Sequence, residues 1–132
     1  MQIVQVATNG EQASGTAVAT FTNGTQANNA IIVMCAVYGG SPTSVSDDQG
    51  SSNSYSVARG PDNLGGSTDE ICKSWFALNV VAGTKAITVL STGSYTGLII
   101  LEVSGLLGID STATEEAQAT GTVTNLAALE VF

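Results

Sequence analysis

The side chains able to do chemistry in this sequence are few, and most are carboxylates. Eleven acidic residues face three basic ones, and there is no histidine. That removes Ser–His and Cys–His nucleophile pairs and the commonest general base. A carboxylate pair, as in glycoside hydrolysis, is the remaining catalytic apparatus. The candidates are Asp47, Asp48, Glu102, Asp110, Glu115 and Glu116. Asp47 and Asp48 are adjacent, so on an extended chain they point opposite ways. Glu102 falls on the outward parity of its strand. All six read as solvated surface carboxylates. The expectation is therefore a protein with no catalytic residue, not an enzyme.

Other chemistry is equally thin. Asp47-Asp48-Gln49-Gly50-Ser51-Ser52-Asn53 is oxygen-rich but lacks the order and the terminal Glu of a calcium loop. Turn formation explains it, because Asp, Gly and Asn are turn formers. Cys35 and Cys72, without histidine, make no zinc site and read as buried thiols, a strand-to-strand disulfide being the alternative. Gly39-Gly40 and Gly65-Gly66 lack the strand–helix context and Lys-Ser/Thr of a phosphate cradle. No metal and no cofactor is expected. Asn23-Gly24-Thr25 is formally a glycosylation sequon, at a turn that needs Asn-Gly anyway. Tyr38, Tyr55, Trp75 and Tyr95 lie among apolar strand neighbours, which favours core or half-buried packing over an exposed sugar platform.

The charge balance bears on partners. At a net charge of −8, with Arg59, Lys73 and Lys85 as the only cations, the chain cannot form a phosphate-binding patch. Nucleic acid is not an expected partner, and an anionic membrane surface is disfavoured for the same reason. No apolar run approaches the roughly 20 residues of a membrane helix. Met1-Gln2-Ile3-Val4 carries neither a basic nor an apolar leader region.

The elements that would position these groups are short strands between turn clusters. Hydrophobic residues make up 43% of the chain, enough for a core without disulfides or metals. Alternation predicts strands over Gln2–Ala7, Thr16–Phe21, Ser44–Ser46, Tyr55–Ala58, Ile71–Val80, Lys85–Leu90 and Leu98–Val103. Thr16–Phe21 sets Ala17, Ala19 and Phe21 against Thr16, Val18 and Thr20. Ile99, Leu101 and Val103 are the expected core face of the Leu98–Val103 strand. Ala30–Tyr38 is apolar on both parities, the mark of a central strand covered on both faces or of a crowded point in the core. Asn9-Gly10 and Asn23-Gly24 read as turns, and Gly60–Gly66 as a long loop. Thr120–Thr124 and Leu129–Phe132 read as two more strands, and Thr114–Ala119 as a helix too short to stand alone. The regular spacing predicts one all-β domain over 1–132, an antiparallel β-sandwich. Its last strand stops abruptly at Phe132, so the chain is either a cut piece or a sandwich completed by a partner strand.

The middle of the chain resembles a family of bacterial and phage β-sandwich domains of immunoglobulin-like or jelly-roll type. The matching stretches are Asn29–Val37, Val45-Ser46-Asp47-Asp48 through Asn53-Ser54-Tyr55, Trp75–Val89 and Ile99–Leu106. The turn before Tyr55 is longer here than the family's Gly-Asn, and the family continues for several strands beyond Phe132. The resemblance implies an extracellular or virion-associated protein and no enzyme.

The expected function is structural: a protein of a virion or filament surface, such as a phage capsid decoration protein, working through contacts with protein partners. Edge-strand pairing would be the means. The terminal strands Gln2, Ile3, Val4, Gln5 and Val6, with Leu129, Glu130, Val131 and Phe132, are the candidate assembly residues. An adhesive or carbohydrate-binding module of a bacterial surface protein, with a glycan partner, is the alternative.

Overall fold

A computed structural model describes residues 1–12, 15–63 and 69–108. They form eight strands and no helix: β1 (Gln2–Gln12), β2 (Thr16–Thr20), β3 (Ala30–Tyr38), β4 (Pro42–Asp47), β5 (Ser56–Asn63), β6 (Glu70–Ala77), β7 (Ala86–Ser91) and β8 (Tyr95–Ser104). Every pairing is antiparallel. One sheet has the order β1-β8-β3-β6-β5 and the other β2-β7-β4. The β-sandwich expected from the sequence is therefore present.

The strand order also gives the topology. An immunoglobulin sandwich keeps its first two strands in one sheet. Here β1 and β2 lie in different sheets, and the nested pairs β1–β8, β2–β7 and β3–β6 are those of a jelly roll. The departure is β5, which pairs with β6 in the larger sheet instead of flanking β4.

Alternation decides what faces inward. On β2, Ala17 and Ala19 are buried and Val18 is exposed; on β7, Ile87 and Val89 are buried. These meet Ile31, Val33, Cys35 and Val37 of β3, Trp75 and Ala77 of β6, and Leu98 and Ile100 of β8 in one core. The alanines of β2 contribute little bulk to this core, and Phe21 and Trp75 are its large aromatic members. The ammonium of Lys73 lies 5.0 Å over the Trp75 ring, covering its rim.

Several expectations need correction. β8 has the opposite parity: Thr96, Leu98, Ile100 and Glu102 point inward, while Ile99 is 43% exposed. Asn9-Gly10 is no turn. β1 runs through it, with Gly10 at φ 64° in a register shift between Thr8 and Glu11. The Asn9 side chain mends the ladder there, donating to the Thr96 carbonyl and accepting from the Leu98 amide. Gly60–Asn63 belongs to β5 rather than to a loop, and Pro61 is tolerated because β5 is a sheet edge. Cys35 and Cys72 are both free: Cys35 pairs with Lys73 on the inner face, whereas Cys72 pairs with Ala36 on the outer. The strands expected at Thr120–Thr124 and Leu129–Phe132, the helix at Thr114–Ala119, and Asp110, Glu115 and Glu116 lie outside the described residues.

The parity of β8 is measurable by denaturant unfolding. Ile100→Ala is expected to cost about 2–5 kcal/mol, whereas Ile99→Thr, on the outward side of β8, is expected to stay within about 0.5 kcal/mol.

Candidate functional site

Two features stand out once the core is accounted for. One is a set of polar groups buried at one end of the sandwich. The other is an apolar surface that the sandwich leaves outward.

The polar set contains the residue that sequence parity misplaced. Glu102 is 1% exposed, not solvated. One carboxylate oxygen accepts the Gln26 amide and the Asn29 side-chain amide, both at 2.7 Å; the other accepts Gln5 Nε2 at 2.6 Å. Gln5 in turn holds the backbone of Asn23, donating to its carbonyl and accepting from its amide. A buried carboxylate is costly unless its lone pairs are satisfied. Here they join β1, the 22–29 connection and β8.

A second network lies beside it. Asp47 accepts the Asn53 amide and the Tyr55 hydroxyl on one oxygen, both at 2.8 Å, and the Gln49 amide on the other. Asn53 also donates to Thr84 and accepts from the Val81 amide. Thr25 donates to the Val81 carbonyl and accepts from the Thr84 amide, so the hydroxyl of the formal sequon is engaged within the fold. Gly24 earns its place here by proximity: a Cβ on it would meet Gly83 Cα at 2.8 Å. Asp48 points elsewhere, accepting the amides of Lys85 and Ala86. Desolvation acts against its charge, but those amides outweigh it and hold the carboxyl below its ordinary value. The turn reading of the Asp47–Asn53 loop thus has a concrete form, because these carboxylates are occupied by amides. Among the described residues no group of three His, Cys, Asp or Glu converges as a metal site.

The Tyr55 phenol is pushed up by burial, then by its hydrogen bond to Asp47 and the charges of Asp47 and Asp48. Burial likewise pushes the Cys35 thiol up to about 11, with neighbouring Cys72 adding to it. An open depression near Tyr55 is lined by Ser44, Ser46, Asn53 and Trp75, and its walls carry no carboxylate, thiol or amine.

The second feature is the outward face of the five-stranded sheet. Val6, Leu101, Ile32 and Phe76 stand directly opposite one another across β1, β8, β3 and β6. Ile99 and Met34 form the next row, and beyond the small pair Gly97 and Ala36 come Tyr95 and Tyr38. Tyr38 is 50% exposed and Tyr95 44%, so both are half-buried on the sheet face rather than in the core. Their rings are 6.4 Å apart and tilted by 52°, so they do not form a flat platform. Trp75 is buried, as expected. Exposed apolar surface of this kind is a candidate interaction surface.

Of the candidate assembly residues, Gln2–Val6 lie in β1, an edge of the five-stranded sheet. Ile3, Val4 and Val6 are exposed, while Gln5 turns inward to Glu102. Val4 sits at a register shift between Ile3 and Gln5, so two neighbouring apolar side chains project at the edge. Leu129, Glu130, Val131 and Phe132 lie outside the described residues. Sequence reading missed Glu102 because both parities of Leu98–Val103 are apolar, and charge was the wrong tie-breaker. Comparison with protein-family models, curated proteins and solved structures finds no match.

Two outcomes follow for the polar end. Glu102→Leu removes the acceptor of three part-buried N–H groups, and the expected loss is about 1–3 kcal/mol by denaturant titration. Glu102→Gln retains one acceptor oxygen and should lose less. The raised phenol of Tyr55 means that the folded state favours the neutral form. Its stabilisation is present below the unfolded value of about 10 and is lost as pH rises beyond it. Tyr55→Phe should therefore lower stability by about 1 kcal/mol at neutral pH and flatten the decline above pH ~10, measured by urea unfolding across pH.

Proposed function

We propose that the chain is a non-enzymatic structural protein of a virion or filament surface, a phage capsid decoration protein being the concrete form. It acts by contact between subunits. The observation that carries this reading is β1: an edge strand with Ile3, Val4 and Val6 exposed. Exposed apolar edges invite another strand, and proteins that work as monomers suppress them. Two irregularities in β1, one within Gln2–Val6 at Val4 and one between Thr8 and Glu11, limit open-ended growth and keep any pairing short.

The jelly-roll order supports the same reading by analogy alone, since that architecture recurs in viral capsid and lectin domains. A net charge of −8 disfavours nucleic acid as the partner and keeps unassembled subunits apart. Protein partners, on a virion or extracellular surface, are the ones that fit. The adhesive or carbohydrate-binding alternative draws on the exposed Tyr38–Tyr95 pair, but the tilt between the rings weakens it.

The test is self-association measured by sedimentation velocity. The unaltered chain is expected to form concentration-dependent oligomers. Ile3→Lys with Val4→Lys should return it to monomer while leaving the far-ultraviolet dichroism unchanged. A chain that stays monomeric at millimolar concentration, or a double variant that assembles like the parent, would sink this role for β1.

A further inference from the structure

β4 ends the smaller sheet, and among the described residues no strand lies beyond it. β5, the strand a jelly roll would place there, runs with β6 in the larger sheet. The sandwich is left open along β4, and a depression of about 480 Å³ lies there. It spans both sheets, because Ser44, Val45 and Ser46 of β4 and Trp75 of β6 all line it. Small-molecule sites have volumes of roughly 300–1,000 Å³.

The walls offer hydrogen bonds that the fold does not use. Ser44, Ser46, Ser51 and Ser54 line the depression, and among the described residues none of their hydroxyls is hydrogen-bonded. Trp75 adds a donor. It is 4% exposed, and its Nε1–H makes no hydrogen bond among the described residues. Yet no buried side-chain polar atom there lacks a partner, so this N–H must reach the surface. The surface that Trp75 lines is the depression. A tryptophan sunk in a core ordinarily pairs its N–H within the protein.

The neighbouring polar groups are held from behind. Asn53 is fixed by Asp47, Thr84 and the Val81 amide. The Tyr55 hydroxyl gives its proton to Asp47, so its oxygen is left to accept. The lining therefore contains a donor in Trp75, an acceptor in Tyr55, and serine hydroxyls that can be either.

The same walls disfavour other ligands. They carry no charged side chain, so an ion finds no counter-charge. An anion also meets the repulsion of a chain at −8. Asp47 is bridged to Gly50, which leaves a strand only a short stretch of β4 to pair with. The Lys73 ammonium lies over the Trp75 ring, so the indole offers its N–H rather than a stacking face. A neutral molecule whose groups both donate and accept fits this lining, and a sugar hydroxyl does both.

We propose that the depression between β4 and β6 binds a neutral saccharide through hydrogen bonds to Trp75 Nε1–H, the Tyr55 hydroxyl oxygen and the surrounding serines. The proposal goes beyond the assembly reading and does not depend on it. β1 is the opposite edge of the five-stranded sheet from β5, which flanks β6.

Trp75 is the one tryptophan in the chain, so its indole N–H gives a single resonance that reports on this site. The full chain would be titrated with glucose, galactose, mannose, N-acetylglucosamine, lactose, maltose and chitobiose, followed by proton–nitrogen NMR. Each would be taken to about 100 mM, enough to fill a site of millimolar affinity. At least one sugar is expected to shift the indole resonance saturably, while glycerol at the same concentration leaves it unmoved. Ser46→Ala with Ser51→Ala should weaken that binding about tenfold, through two lost hydrogen bonds. The melting temperature should stay the same, because neither hydroxyl bonds within the fold. The proposal is overturned by the lack of a saturable shift with every sugar, by an equal shift with glycerol, or by unchanged affinity in the double variant. A shift with a neutral capped peptide of serine, threonine and valine, and with none of the sugars, would assign the depression to a strand and overturns it as well.

Discussion

The burial of Glu102 constrains the rest of this sandwich. A carboxylate drawn out of water must find hydrogen-bond donors nearby, and three are supplied by Gln5, Gln26 and Asn29. None of the three is close to Glu102 in sequence. The requirement ties β1 to β8 at a set register and draws the 22–29 connection across the open end between the sheets. The adjacent network through Asp47, Asn53, Tyr55, Thr84 and Thr25 does the same for the 81–84 turn and the loop after β4. No buried side-chain polar atom among the described residues lacks a partner. A register slip in any of the joined strands would break several of these bonds together, which makes the polar end a specifier of the fold.

The jelly-roll order follows from wrapping paired strands around a core that has little aromatic bulk. Ala17, Ala19, Val33, Val89 and Ile100 pack together in the core between the sheets. That core uses one face of β3 only. The other face joins the outward sides of β1, β6 and β8 into one apolar surface that shades from covered at Leu106 to exposed at Tyr38. Exposed apolar surface on an acidic, otherwise polar chain is a candidate for contact with a partner. The edge of β1 and the face of the sheet ask for different occupants. An edge offers backbone hydrogen bonds and takes a strand, whereas a face offers apolar area and takes a packed segment.

Much of the architecture was legible from local pattern. Period-two alternation located β2 and β7 within a residue or two and set Ala17, Ala19 and Phe21 on one face of β2, while β3 was located by its continuous apolar run. β2 and β7 have one apolar face, so the alternation carries the answer. It failed where that condition fails. In β8 both parities are apolar, and the choice of inward face was settled by partners distant in sequence. Asn9-Gly10 has turn chemistry, but positive φ serves a bulge equally well, and pairing with β8 decided for the bulge. Pro61 breaks a central strand but not an edge, and edge position is a property of the sheet.

The sequence by itself determined the all-β fold class. Short alternating strands, scarce cations and the lack of histidine depend only on residue types and their spacing, and those are present in the chain before it folds. The tertiary structure decided which strands became neighbours, that Glu102 points inward, and that Tyr38 and Tyr95 reach solvent. The physical reason is that burial and hydrogen-bond satisfaction belong to pairs of segments far apart in the chain. Gln5 and Glu102 are 97 residues apart in sequence and 2.6 Å apart in the fold.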